Sequence, residues 1–248
     1  MNPILNVFLL SLMAGLATGI GGLLAIIKKP GKKSFGFLMG LAAGVMITLS
    51  FLELVNEALQ LSGYLITTIG FGAGALFMFL LDVFIPHIRF GEKEKSMFNS
   101  KLFRTGILVF IGISIHNIPE GIAVGAGYMH LPKFGLFIAF AIALHNIPEG
   151  IATALPLCKG GLCKLKSFEL ALLSGLVEPI GALIAVLFLV SFKTFIPPAL
   201  AFAAGVMVFI TLDELVPMAR KYGHQHFTAM GIISGAIFVF LLSGIFGV

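Results

Sequence analysis

Eight apolar runs, each about the ~20 residues that a helix needs to cross a bilayer, fall at about 4–27, 34–57, 64–88, 105–127, 134–156, 168–192, 195–218 and 226–247. All 16 Lys and Arg residues lie between them. Inside lipid the backbone must satisfy its own N–H and C=O groups, so runs of this length fold as spanning helices. Composition agrees: hydrophobic residues make up 58% and charged residues 11%, Phe outnumbers Tyr 25 to 3, and mean hydropathy is +1.08, the profile of an integral membrane protein. The net charge of +5 does not describe a nucleic-acid surface, because the basic residues are scattered over separate connections without aromatic interleaving. No positive n-region precedes the first run and no cleavage site follows it, so that run reads as a spanning helix and not as a signal peptide.

The basic residues set the expected topology. Lys28, Lys29, Lys32 and Lys33 follow the first run, five follow the third, three the fifth and two the seventh; the fourth and sixth are each followed by one, so alternate connections hold 14 against 2. By the positive-inside rule the 14 face the cytoplasm, and both termini of this multi-pass plasma-membrane (inner-membrane) protein lie outside. The longest connection, 89–104, is then a polar cytoplasmic loop, and residues 1–248 form a single transmembrane domain. Cys158 and Cys163 fall on the reducing side and make no disulfide framework.

An internal repeat runs through the chain. LMAGLATGIGGLLAII at 12–27 matches LLSGLVEPIGALIAVL at 172–187 in seven of sixteen positions, and AAGVMITLSFLELV at 42–55 matches AAGVMVFITLDELV at 203–216 in eight of fourteen. GAGALFMFLL at 72–81 echoes ISGAIFVFLL at 233–242, and the offset stays at 160–161 throughout. Helices one to three therefore recur as six to eight, five crossings later and so with opposite direction. The expected fold is an all-α integral membrane protein of eight transmembrane helices, a 3+2+3 inverted repeat with helices 1–3 and 6–8 around the 4/5 pair. Such repeats build transporters whose sites lie near the midplane on broken helices.

That central pair is itself a duplication: HNIPEGIA occupies 116–123 and again 145–152. On a helix, His116, Asn117 and Glu120 project from one face, and His145, Asn146 and Glu149 repeat the fan. Pro119 and Pro148 leave the carbonyls of Ile115 and Leu144 without their helical donors, which predicts a bend beside each cluster.

Ionisable residues within a membrane are costly and functional by default. Glu53, Asp82, Glu120, Glu149, Glu178, Asp213 and Glu214 lie in the runs with no Lys or Arg to neutralise them, so they are protonated or meet a cation. Imidazole, carboxylate and amide oxygen together suit Zn²⁺, Fe²⁺, Mn²⁺, Co²⁺ or Cd²⁺ better than Ca²⁺, and the lack of thiolate favours a site that ions can leave. Two glutamates on antiparallel helices can bridge two ions. Glu53, Asp213 and Glu214, on the paired AAGVM helices, serve either ion entry or helix packing. Met46 reads as a core residue that could offer a soft ligand. His87, Cys158, Cys163, His224 and His226 fall on the cytoplasmic side against His130 outside, where they either receive an outgoing ion or are ordinary loop residues.

The doubled HNIPEG, the Glu-Pro in SGLVEPIGA, eight helices and outside termini resemble the ZIP family of divalent-metal transporters. Without a large extracellular domain or a long His-rich loop, the chain is most similar to its bacterial ZupT-like zinc-uptake branch. The resemblance implies a two-metal site in which His116, Glu120, His145 and Glu149 hold one ion while Asn117, Asn146 and Glu178 hold the second, sharing Glu120 and Glu149. It also implies a homodimer in which helices one, four, five and six move as a unit. The expected function is uptake of Zn²⁺ and related divalent cations into the cytoplasm, with the ions as substrate, no cofactor and no nucleic-acid partner. No phosphate-binding loop exists, since GKKS at 31–34 lacks the Walker pattern, so uptake follows an existing gradient. The rival reading is an intramembrane metallohydrolase, because a buried dimetal centre can activate water.

Overall fold

The computed structural model describes residues 3–84 and 100–248, and every regular element among them is helical. In order these are α1 (Pro3–Ile27), α2 (Lys32–Thr48) continuing into a π-helical stretch (Leu49–Val55), α3 (Asn56–Phe84), α4 (Ser100–His130) and α5 (Pro132–Lys159). There follow α6 (Lys164–Gly175), α7 (Glu178–Ser191), a 3₁₀ turn (Lys193–Phe195), α8 (Ile196–Ile210), a second π-helical stretch (Thr211–Leu215), α9 (Val216–Tyr222) and α10 (Gln225–Phe246). Among the described residues seven helical stretches are long and apolar enough to cross a membrane, and one of them, Lys32–Val83, is 52 residues long. Its helical geometry is interrupted at Gly63, where φ is 74° and ψ 179°, a left-handed conformation that glycine adopts without the penalty a Cβ imposes.

Two sequence expectations need adjustment here. Residues 100–104, expected at the end of the long connection, form the first turns of α4; the remainder of that connection, and His87, lie outside the described residues. The sixth run is divided: α6 ends at Gly175 and α7 starts at Glu178, with Pro179 unable to donate to the Gly175 carbonyl. Pro119 and Pro148 lie within α4 and α5, which are helical on both sides of them.

The helices pack as two bundles. One joins α1, α4, α5, α6 and α7; the other joins α2, α3, α8, α9 and α10; α4 against α8 and α2 against α5 connect them. Between lipid-embedded helices there is no hydrophobic drive to associate, so close backbone approach at small residues must do it. That is where the glycines sit. A Cβ at Gly21 of α1 would strike the Ile147 carbonyl of α5, and one at Gly181 of α7 would strike the Ile118 carbonyl of α4. Gly44 of α2 meets the Ile232 carbonyl of α10 in the same way, and Gly205 of α8 meets that of Phe71 of α3. Gly15 and Gly175 meet each other.

A paired substitution tests this packing. Gly74 sits against the Phe202 carbonyl, whereas Gly72 has open space around it. Gly74→Leu is expected to destabilise by about 1–3 kcal/mol or more, as overpacking does, and to lower the melting temperature in detergent. Gly72→Leu should melt like the parent chain.

Candidate metal centre

Glu120 and His116 occupy one face of α4, four residues apart, and Glu149 and His145 one face of α5; all four are buried. They pair crosswise. His145 Nε2 lies 2.9 Å from Glu120 Oε1, and His116 Nε2 lies 3.2 Å from Glu149 Oε1. The second contact is close but poorly directed, so both of its atoms still lack a hydrogen bond. One ligand atom each from His116, Glu120 and Glu149 lie within 4.8 Å of one another. Two ligands bound ~2.1 Å from one ion at near-tetrahedral or right angles are ~3.0–3.4 Å apart, so these separations suit donors to a shared cation.

The asparagines are held from behind. Asn117 Nδ2 donates to the Ser174 carbonyl of α6 at 2.8 Å, and Asn146 Nδ2 donates to the Ala14 carbonyl of α1 at 2.9 Å. Each amide therefore spends an N–H on backbone and keeps Oδ1 unpartnered. The Ser174 carbonyl sits in the last turn of α6, beside the break before Glu178. Glu178 opens α7 fully buried, where the positive helix end favours a carboxylate; its Oε2 accepts from Asn146 Nδ2 at 2.9 Å and its Oε1 has no partner.

The structure thus gathers His116, Asn117, Glu120, His145, Asn146, Glu149 and Glu178 at one crossing of α4, α5 and α7. Nine of their buried polar atoms lack a hydrogen-bond partner. Each such atom costs about 1–3 kcal/mol, more where a charge is involved, and no Lys or Arg among the described residues pairs with any of them. Six of the nine are oxygens and three are imidazole nitrogens, the donor set of a borderline divalent cation.

The other sequence candidates separate. Glu214 approaches the centre: its Oε1 lies 3.3 Å from where a Cβ on Gly112 would stand, one turn before His116, and its charge reaches His116. Asp82 and Asp213 interact with it electrostatically. Glu53 lies apart, beside Ser243 and Glu57. Met46 is buried and its sulfur faces the Thr211 hydroxyl at 3.5 Å. Cys158 and Cys163 are free thiols, and the rings of His224 and His226 are 5.6 Å apart. Sequence reasoning passed over Glu57, whose Oε1 lies 2.6 Å from His130 Nε2 between the two bundles; its spacing of four from Glu53 was the available signal.

A polytopic helical protein with a buried carboxylate–imidazole–amide cluster on its central helix pair is built like a carrier of metal ions. The chain belongs to the ZIP zinc transporter family, matching the family described as "ZIP Zinc transporter" over residues 87–243. It is 42% identical to "Zinc transporter ZupT" of Akkermansia muciniphila, across 95% of this chain and 96% of that protein. Identity is 41% to "Zinc transporter ZupT" of Oceanobacillus iheyensis, across 95% and 96%, and 39% to that of Clostridium perfringens, across 96% and 94%.

Proposed function

We propose that this chain carries Zn²⁺, and with it Fe²⁺, Mn²⁺, Co²⁺ or Cd²⁺, across the plasma membrane into the cytoplasm through a buried two-ion site. The observation that carries this reading is the set of nine unpartnered donor atoms on seven residues inside a lipid-embedded bundle. His116, Glu120, His145 and Glu149 hold one ion; Asn117, Asn146 and Glu178 hold the other, with Glu120 and Glu149 shared. The ions are cargo, and no cofactor is needed. Purified protein in proteoliposomes should take up radioactive zinc down its gradient and should not hydrolyse casein. Hydrolysis without uptake would favour the metallohydrolase reading instead.

Eight crossings in an inverted repeat belong to the same proposal. A continuous 52-residue helix would be ~78 Å long, more than twice the ~30 Å hydrocarbon core, so Lys32–Val83 crosses twice and turns at Gly63. Equivalent contacts support the repeat. Gly21 on Ile147 and Gly181 on Ile118 are related by the 160-residue offset and the 29-residue offset of the central pair, as are Asn146 on Ala14 and Asn117 on Ser174. Gly44 on Ile232 and Gly205 on Phe71 are related by the 161-residue offset, and both AAGVM helices pass into π-helical stretches. All seven proposed ligands lie in the first bundle, which supports its moving against the second with the ions aboard. Pairing of two chains completes the reading.

The charge asymmetry puts both termini outside and the α5–α6 connection in the cytoplasm. Cys163, exposed in that connection, should react with an impermeant maleimide only after cells are lysed, with the signal lost in Cys163→Ser. Labelling in intact cells would reverse the orientation.

A further inference from the structure

A cavity of about 330 Å³ opens where α1, α5 and α9 end and α2 begins, and three lysines line it. Lys32, Lys159 and Lys221 come from the ends of three separate helices, α2, α5 and α9, and among the described residues none of them forms an ion pair with a carboxylate and no Asp or Glu lines the cavity. Lys221 Nζ stands 5.2 Å from the Tyr222 ring centroid. The walls are apolar, with Phe35 of α2, Val109 of α4, Leu155 of α5 and Met218 of α9.

Converging positive charge without an acid repels a divalent cation, so this is not a further ligand set for the transported ion. It selects an anion. The adjoining Phe, Val, Leu and Met side chains select an anion that carries hydrocarbon, and the level of the helix ends is that of lipid headgroups. Basic pockets between helices at a cytoplasmic boundary hold anionic lipid in this way. We propose that the cavity binds one anionic phospholipid of the cytoplasmic leaflet, its phosphate among Lys32, Lys159 and Lys221 and the start of its acyl chains along Phe35, Val109, Leu155 and Met218. Phe35 and Met218 belong to the second bundle and Val109 and Leu155 to the first, so the lipid bridges the two. The leaflet rests on the orientation proposed above; the chemistry of binding does not.

Native mass spectrometry of the full-length protein in detergent tests this. Phosphatidylglycerol should be retained as a single adduct, while phosphatidylcholine with the same chains should wash away. Each Lys→Gln substitution should weaken retention about fivefold, since a lysine near an anionic headgroup contributes ~1 kcal/mol. The triple change K32Q/K159Q/K221Q should abolish the adduct and K32R/K159R/K221R should keep it, with monodisperse elution showing that both fold. K133Q/K193Q, at the opposite end, should bind like the parent. Equal retention of the two lipids, or an adduct that survives the triple Gln change, overturns the proposal. Displacement of the lipid by an equal concentration of glycerol phosphate also overturns it, in favour of a soluble anion. Labelling of Cys163 in intact cells with the adduct intact would move the site to the outer leaflet and leave the binding itself standing.

Discussion

Glu120→Ala and Glu149→Ala are each expected to reduce zinc uptake to background while the protein still inserts and folds. Each carboxylate belongs to both proposed ions and also makes the crosswise contact with the partner helix's histidine, at 2.9 Å for Glu120 and 3.2 Å for Glu149. Losing a residue that merely orients a metal ligand already costs about 10–100-fold in affinity, so losing a shared ligand costs more. For folding the effects offset: the changes remove unpartnered buried oxygens, Oε2 of Glu120 and both oxygens of Glu149, but Glu120→Ala also leaves His145 Nε2 without its 2.9 Å partner. The metal-free variants should therefore melt near the parent temperature. The parent should gain about 2.7 kcal/mol when zinc is present at a hundred times its dissociation constant, and the variants should gain almost nothing. Wild-type uptake by either variant at matched expression would contradict the shared role.

Glu178→Gln should have the second-largest effect, and a more selective one. Glutamine keeps an oxygen able to accept from Asn146 Nδ2, replacing the 2.9 Å bond to Glu178 Oε2, and deletes one negative charge at the buried start of α7. The ion proposed among His116, Glu120, His145 and Glu149 would rely on α4 and α5 alone, so it should persist. Metal titration of the purified variant should fall from two ions per chain toward one, with some transport retained. Simultaneous loss of both ions would show that the sites are not separable, and an unchanged count of two would remove Glu178 from the ligand set. The repeat marks this position: the 160-residue offset sets Thr18 opposite Glu178, and Thr18 Oγ1 is itself buried without a partner.

The sequence made the helices legible because lipid forces each apolar run to satisfy its own backbone, and the ends of α1, α5 and α10 fall within a few residues of the runs at 4–27, 134–156 and 226–247. His116 and Glu120, like His145 and Glu149, could be set on one face from their spacing alone. What spacing does not encode is contact between helices. The crosswise His–Glu pairing, the anchoring of both asparagine amides on backbone carbonyls and the approach of Glu214 to Gly112 depend on packing. The division between α6 and α7 hid inside a continuous apolar run, although Pro179 was its visible cause. The π-helical stretches had no such signal, since one extra residue per turn leaves composition unchanged. The start of α4 at Ser100 was concealed in the same way by the polar residues of its first turns.

Anomalous diffraction from crystals grown with Zn²⁺ examines the two-ion site directly. Two peaks are expected about 3.5–4 Å apart, as in bridged dimetal centres: one among His116, Glu120, His145 and Glu149, the other against Glu178 and the Oδ1 atoms of Asn117 and Asn146. A single zinc bound away from Glu120 and Glu149, or no zinc among these seven residues, would contradict the account.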